Sequence, residues 1–279
     1  METSVSHQAY EASRLDDSET HKMLSKTYPY TILITEDDDE VRCFLERELS
    51  PHFKTRTAAN GKDALRVLEE EEISLVVSDV MMPEMNGFEL CRMIKSQLPF
   101  SHIPVILLTA LTDERQRIFG ITGGADDYIQ KPFHTDYVKI KIIHLLQERR
   151  KLRERLLEKL RDNKLLLSEP EKVESIDDAF LRKFAEQIEA VYADPEYNVE
   201  KLSETLGLSR GHLHRKIKEL TGTSPVEFLR TYRLNKATQL LRQNAYTVSE
   251  VAYRTGFSSP AYFSKCFKAV YGVTPTEYQ

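Results

Sequence analysis

The sequence predicts two domains of different class. Residues 30–145 read as an α/β domain on a doubly wound five-stranded parallel sheet, and residues 176–279 as an all-α domain. A long helix joins them. Three observations carry this reading. Short apolar runs alternate five times with amphipathic stretches in the first domain, as a parallel sheet with helices on both faces requires. Residues 135–167 contain neither Pro nor Gly, so no breaker stops a helix there. Beyond residue 176 the strand-like runs cease, and one module occurs twice: a capped helix, a Gly turn and a second, basic helix.

The elements follow in order. Thr31–Thr35 is a buried strand with a helix after it near Asp39–Leu49. Lys54–Ala58 is a shorter strand before a helix near Gly61–Glu70. Ile73–Ser78 is the third strand, with a helix near Gly87–Ser96. Pro104–Thr109 is the fourth, apolar at successive positions as a sheet covered on both faces demands, and a helix near Asp113–Gly120 follows. Asp127–Ile129 is a short last strand, and the long helix starts near Thr135. It carries Leu145, Leu146, Leu152, Leu156, Leu157, Leu160, Leu165 and Leu166 in a field of Arg, Lys and Glu. These leucines fit either a self-associating coiled coil or a solvated connector, because Lys159 falls where the heptad of Leu145, Leu152 and Leu166 wants an apolar residue. Residues 146–175 form this helical linker, and Ser168-Glu169-Pro170 ends the helix.

In the second domain Asp177–Tyr192 is the first helix, broken at Asp194-Pro195. Asn198–Ser209 then gives a capped helix, a Gly207 turn and a new Ser cap. Thr247–Ser258 repeats that plan about fifty residues later. The basic helices Arg210–Leu220 and Pro260–Tyr271 follow the two turns, and Pro225–Gln243 links the modules. Leu213, Ile217, Leu220, Phe263 and Phe267 are expected in the core by their helical spacing.

Composition narrows the function classes. A chain of 279 residues suits two domains. No run approaches the roughly 18 apolar residues of a membrane span, and polar Met1–Lys26 lacks the apolar core of a signal peptide. Residues 1–29 are therefore expected to be a disordered leader or linker, and the chain to be cytoplasmic without membrane contact. Cys43, Cys91 and Cys266 form no CxxC pair or metal spacing, which points to three buried free thiols in a reducing compartment. Residues 31–145 hold 13 Lys and Arg against 20 Asp and Glu, whereas residues 205–279 hold 11 against 4. The basic second domain is a candidate polyanion surface.

Polar residues follow four strands at what the sheet makes one edge. Glu36 and Asp37 follow the first, Asp79 the third, Thr109 the fourth and Lys131 the fifth. Gathered carboxylates raise each other's pKa unless something positive sits among them. A hard divalent cation satisfies them, and oxygen-only ligands favour Mg2+. One carboxylate beside Mg2+, with Lys131 and the Thr109 hydroxyl at hand, can attack phosphorus. Asp38, Asp39 and Glu40 read instead as a solvated helix N-terminus.

Residues 31–145 resemble a response-regulator receiver domain, which has a flavodoxin-like fold. The resemblance rests on Glu36-Asp37, Asp79 in SDVMMPEMNG, Thr109 in LLTA and Lys131 in DDYIQKPF. It implies that Asp79 accepts a phosphoryl group from a histidine kinase, and that Glu36, Asp37, Asp79 and the Met81 carbonyl hold Mg2+. It also implies that Thr109 and Tyr128 form a switch pair in which the ring turns inward behind the hydroxyl. The chain itself has no kinase nucleotide loop, so its only expected chemistry is its own phosphorylation and slow dephosphorylation.

Residues 177–279 resemble the DNA-binding domain of AraC-family regulators, through KLSETLGLSRGHLHRKIKELTGTSPVEFLRTYRLNKATQLL and TVSEVAYRTGFSSPAYFSKCFKAVYGVTPTEY. The resemblance implies that the second helix of each module enters the major groove. The first would present Arg210, Gly211, His214 and Arg215, with Lys218 nearer the backbone. Arg215 could read guanine, while Gly211 departs from the family by offering no side chain. The second would present Pro260, Ala261, Tyr262 and Lys265. Together the resemblances imply a phosphorylation-controlled, DNA-binding transcription regulator. Its partners would be double-stranded DNA, a histidine kinase in a separate or the same chain, RNA polymerase, and a second copy on phosphorylation. Two other readings stand beside it: the receiver and output end of a hybrid histidine kinase, and a phosphorelay scaffold that binds protein instead of DNA.

Overall fold

The computed structural model of the chain describes residues 22–110, 124–161 and 175–279. It divides into two compact units, Met1–Arg150 and Lys151–Gln279.

In the first unit β1 (Thr31–Thr35), β2 (Lys54–Ala58), β3 (Leu75–Asp79), β4 (Val105–Thr109) and β5 (Asp127–Gln130) form one sheet in the order β2-β1-β3-β4-β5. Every pairing is parallel. Strand order reverses between β1 and β3, which opens a crevice beyond their carboxyl ends. Between the strands lie α1 (Asp39–Leu49), α2 (Gly61–Glu70) and α3 (Gly87–Ser96). The helix expected near Asp113–Gly120 lies outside the described residues. One face of the sheet packs Ile32, Ile34, Val77 and Ile106 against Leu45, Leu49, Val138 and Ile142. The other packs Leu33, Val76, Val105 and Leu107 against Ala64, Leu68, Leu90 and Ile94. The double coverage explains why these strands are apolar at successive positions.

Helix α4 (Thr135–Arg161) spans 27 residues, about 40 Å at 1.5 Å per residue. Its first half belongs to the core of the first unit. Leu146 is buried there and Leu145 packs against it, so these two leucines serve the sheet and not a free seam. Arg149 then ties the helix to the His102 carbonyl and to Asp126, at 3.2 Å for the latter. Side chains of the remaining expected seam leucines lie outside the described residues.

The expected disordered leader and the expected burial of all three thiols do not hold. Packing against the core begins before residue 30: Met23 and Tyr28 lean on it, and the Tyr28 amide donates to the His52 carbonyl at 2.7 Å. Tyr28 stacks on Phe53 with ring centroids 5.7 Å apart. Its aromatic ring buries apolar area that a disordered leader would leave in water. All three cysteines are free, but only Cys91 is buried; Cys43 is exposed and Cys266 intermediate. Cys43 lies next to exposed Phe44 on the outer face of α1, away from the Leu45–Leu49 stripe.

The second unit is helical: α5 (Ile176–Val191), α6 (Val199–Leu206), α7 (Arg210–Thr221), α8 (Pro225–Arg242), α9 (Val248–Arg254), α10 (Pro260–Tyr271) and α11 (Pro275–Tyr278). Side-chain oxygens cap α5 to α11 at their N-termini, with reciprocal Ser/Thr–acid boxes at Ser175, Ser224, Thr247 and Thr274. Gly207 closes α6 at φ 69°. From the turn glycine to the helix cap the second module is one residue longer than the first, because Ser259 and not Ser258 caps α10. Gly256 in that turn has φ +78°, and a Cβ there would sit 2.1 Å from the Tyr192 carbonyl. Leu213, Ile217, Phe263 and Phe267 are fully buried, while Leu220 is only half-buried near the end of α7.

The β3–α3 crossing is equally tight. The Gly87 amide donates to the Val80 carbonyl at 3.0 Å, and a Cβ on Gly87 would lie 2.1 Å from the Asp79 carbonyl oxygen. Gly87→Ala is expected to destabilise the first unit by about 1–3 kcal/mol through overpacking. Urea unfolding of the full chain checks this; an unshifted first transition contradicts it.

Candidate functional site

Glu36 follows β1 and Asp79 ends β3, so the two carboxylates face the crevice where strand order reverses. Both are buried, at 3% and 6% exposure, whereas Asp37 is exposed. One oxygen from each of Glu36, Asp37 and Asp79 lies within 4.8 Å of the others. Lys131 follows β5 and bridges two of them: its Nζ is 2.9 Å from Glu36 Oε2 and 2.7 Å from Asp79 Oδ1. The other Asp79 oxygen accepts the Met81 backbone amide at 3.0 Å.

The electrostatics follow from burial and crowding. Burial pushes Glu36 above its ordinary value; hydrogen bonding to Lys131 opposes this, and the charges of Asp79 and Asp37 add to it. Burial works against the Lys131 charge, but hydrogen bonds to Asp79 and Glu36 outweigh it and raise its pKa. Three gathered carboxylates against one ammonium leave unbalanced negative charge with oxygen donors only. That donor set fits a hard cation such as Mg2+.

Thr109 ends β4, and the Lys131 amide donates to its carbonyl at 2.7 Å. Tyr128 pairs in register with Leu107, which shares a sheet face with Thr109 two residues on. The Tyr128 hydroxyl is buried without a well-formed hydrogen bond, and burial chiefly pushes its pKa up to about 12. The ring thus occupies an inward position, packed against Leu107 and its neighbours.

In the second unit Arg210, Gly211, His214 and Lys218 are exposed along α7, with Arg215 half-buried between them. Glu200 of α6 pairs with Arg210 at 2.7 Å. No atom lies within 4 Å of a Cβ built on Gly211. On α10 Ala261, Tyr262 and Lys265 are exposed and Pro260 half-buried. Tyr262 leans on Phe257 with ring centroids 6.2 Å apart.

Lys216 escaped the sequence reading. It is fully buried in α7, pairs with Asp177 at 2.6 Å and lies over the Phe180 ring at 5.1 Å. Its signal was its place in the stripe Leu213, Lys216, Ile217 and Leu220, a core position held by a charge. Its partner on α5 is 39 residues away and was invisible.

Residues 32–143 match the response regulator receiver domain, and residues 202–279 match a helix-turn-helix domain. The chain contains a receiver domain followed by a helix-turn-helix domain. Over 265 residues it is 37% identical to histidine kinase P4 of Formosa agariphila, covering 95% of this chain and 19% of that protein. It is 43% identical to transcriptional regulatory protein GltR of Pseudomonas aeruginosa over 118 residues, covering 42% of this chain and 49% of that one. The receiver domain of a signal transduction histidine kinase from Syntrophus aciditrophicus is 38% identical, with a TM-score of 0.41, over 43% of this chain and 91% of that one. The chain thus spans about a fifth of the first relative and about half of the second. Both matched domains are regulatory in kind. Among the described residues no helix is long and apolar enough to cross a membrane.

A raised Glu36 pKa means that its neutral form favours the folded state. The stability it contributes is full below about 4.5 and is lost as pH rises through the raised value. In metal-free buffer Glu36→Gln, a permanently neutral mimic, is therefore expected to melt above wild type at pH 7, with the gap closing towards pH 4.5. Melting curves across that range check it; a gap independent of pH contradicts it.

Proposed function

We propose that this chain is a phosphorylation-controlled transcription regulator in which Asp79 is the phosphoryl acceptor. The observation that carries the reading is the pair of buried carboxylates, Glu36 and Asp79, sharing the Lys131 ammonium at the strand-order reversal, in one chain with two helix-turn-helix modules. An Asp79 oxygen forms the bond to phosphorus, and the bond from phosphorus to the histidine nitrogen of a kinase breaks. Lys131 then meets the added negative charge with the ammonium already placed there, and the Thr109 hydroxyl offers a hydrogen bond. Mg2+ held by Glu36, Asp37, Asp79 and the Met81 carbonyl would neutralise charge on the transferring group. Tyr128 follows Thr109 as the packing half of the switch. The switch would act through the surface of β5 and α4; the helix expected near Asp113–Gly120 lies outside the described residues.

The second unit supplies the output. Arg210, Gly211, His214, Arg215 and Lys218 on α7, and Pro260, Ala261, Tyr262 and Lys265 on α10, are the proposed duplex-facing residues. Arg and Lys there would release counterions from DNA phosphates, and Arg215 would read a guanine edge. Phosphorylation would favour a homodimer through α4 and so pair these readers on repeated half-sites, with RNA polymerase as a further partner. One observation supports a second setting for the same activity. The alignment with histidine kinase P4 covers nearly all of this chain, so the receiver and reader pair also fits within a longer hybrid kinase that phosphorylates its own receiver.

The test uses the full chain and a duplex selected by it from a random pool. Affinity is expected to fall linearly with the logarithm of salt concentration and to rise after treatment with a small phosphodonor and Mg2+. Asp79→Asn should abolish the rise, and Arg215→Ala should cost about 1–3 kcal/mol of binding at one base position. Equal affinity before and after treatment contradicts the control; absence of duplex binding leaves a protein-binding scaffold as the function.

A further inference from the structure

Arg42 stands beside the carboxylate cluster without adding an oxygen to it. It sits in the second turn of α1, six residues beyond Glu36. Its Nη1 donates to the Glu36 carbonyl at 2.8 Å and to the Asp37 carbonyl at 3.3 Å, while Nη2 pairs with the exposed Asp39 carboxylate. The Arg42 side chain is only 18% exposed, whereas its ion-pair partner is 84% exposed. An exposed pair of this kind contributes little stability by itself. The backbone bonds are therefore the informative ones. They hold the two carbonyls of the β1–α1 connection, the segment that delivers two carboxylates to one point. The segment is otherwise pinned on its other side, where the Glu36 amide donates to the Ala58 carbonyl of β2 at 3.1 Å.

We propose that Arg42 is a positioning residue for the cation: it fixes the backbone of Glu36 and Asp37 so that their oxygens and those of Asp79 meet within one coordination sphere. The inference rests on the reading of that carboxylate cluster as a Mg2+ site. The planar guanidinium sets Nη1 on both carbonyls while Nη2 is fixed by Asp39, an orientation that a single lysine ammonium does not impose. Partners that orient metal ligands in this way typically contribute tenfold or more to metal affinity. Two effects oppose each other here. Arg42 orders the ligands, which strengthens binding, and it carries a positive charge, which weakens it. Partial solvent exposure on the Asp39 side screens the charge, so ordering dominates.

Calorimetric titration of the metal-free full chain with Mg2+ separates them. Arg42→Lys keeps the charge and loses the fork, and Arg42→Met loses both. Both variants are expected to bind Mg2+ about tenfold more weakly than wild type, with unchanged melting of the metal-free second unit. If Arg42→Met binds as tightly as wild type or more tightly, charge alone operates and the inference is overturned. Should Arg42→Met fail to fold, wild-type affinity in Arg42→Lys overturns it equally. Wild-type protein that binds no Mg2+ at all would instead reject the metal site itself.

Discussion

Like charges brought together are the constraint on which the rest of this structure turns. Glu36 and Asp79 are buried side by side with Asp37 at the rim, and one ammonium stands between them. Isolated, such a group would keep its carboxylates apart or protonated. Here four separate connections converge to hold it. The parallel order β2-β1-β3-β4-β5 brings the ends of β1, β3 and β5 to one edge although Lys131 is 95 residues from Glu36. Gly87 lets α3 approach the Asp79 backbone closely enough to accept its position. The Met81 amide satisfies one Asp79 oxygen while Lys131 takes the other. The residual negative charge is the property a cation and a phosphoryl group would exploit; burial first, and the Asp79 and Asp37 charges after it, push the Glu36 pKa up.

The second unit is organised by repetition instead of charge. The same plan, a capped short helix, a left-handed glycine and a longer basic helix, is used twice around separate apolar stripes. The two copies are not equivalent in their exposed chemistry. α7 begins with Arg210 already paired to Glu200 and a bare Gly211, whereas α10 begins with Pro260 and presents Tyr262. As the duplex readers proposed above, two faces of different chemistry would suit an asymmetric target better than two identical half-sites within one chain. Lys216 adds a feature foreign to a simple helix pair, since it fastens α7 to the start of α5 through Asp177 and the Phe180 ring.

Much of this was legible in the sequence, for definable reasons. Strands β1, β3 and β4 carry runs of successive apolar residues, Ile32–Ile34, Leu75–Val77 and Val105–Leu108, because both faces are covered, and a carboxylate or hydroxyl after such a run lies at the sheet edge. The helix caps were legible because Ser, Thr and Asn before a helical stripe leave few other roles. What stayed hidden depends on contacts between distant segments. Tyr28 packing on Phe53, Leu146 joining the sheet core, and Lys216 reaching Asp177 each require knowing which segment lies opposite. The extra residue before Ser259 was hidden differently: two adjacent serines both satisfy a cap rule, and only the helix start decides between them.

The account stands on Asp79 being the phosphoryl acceptor. The most direct measurement is peptide mapping by mass spectrometry of the full chain after incubation with a small phosphodonor, with and without Mg2+. The account predicts one acid-stable, base-labile phosphoryl group on the peptide containing Asp79, formed only with the cation present. A phosphoryl group on another residue, or formation indifferent to Mg2+, would contradict it.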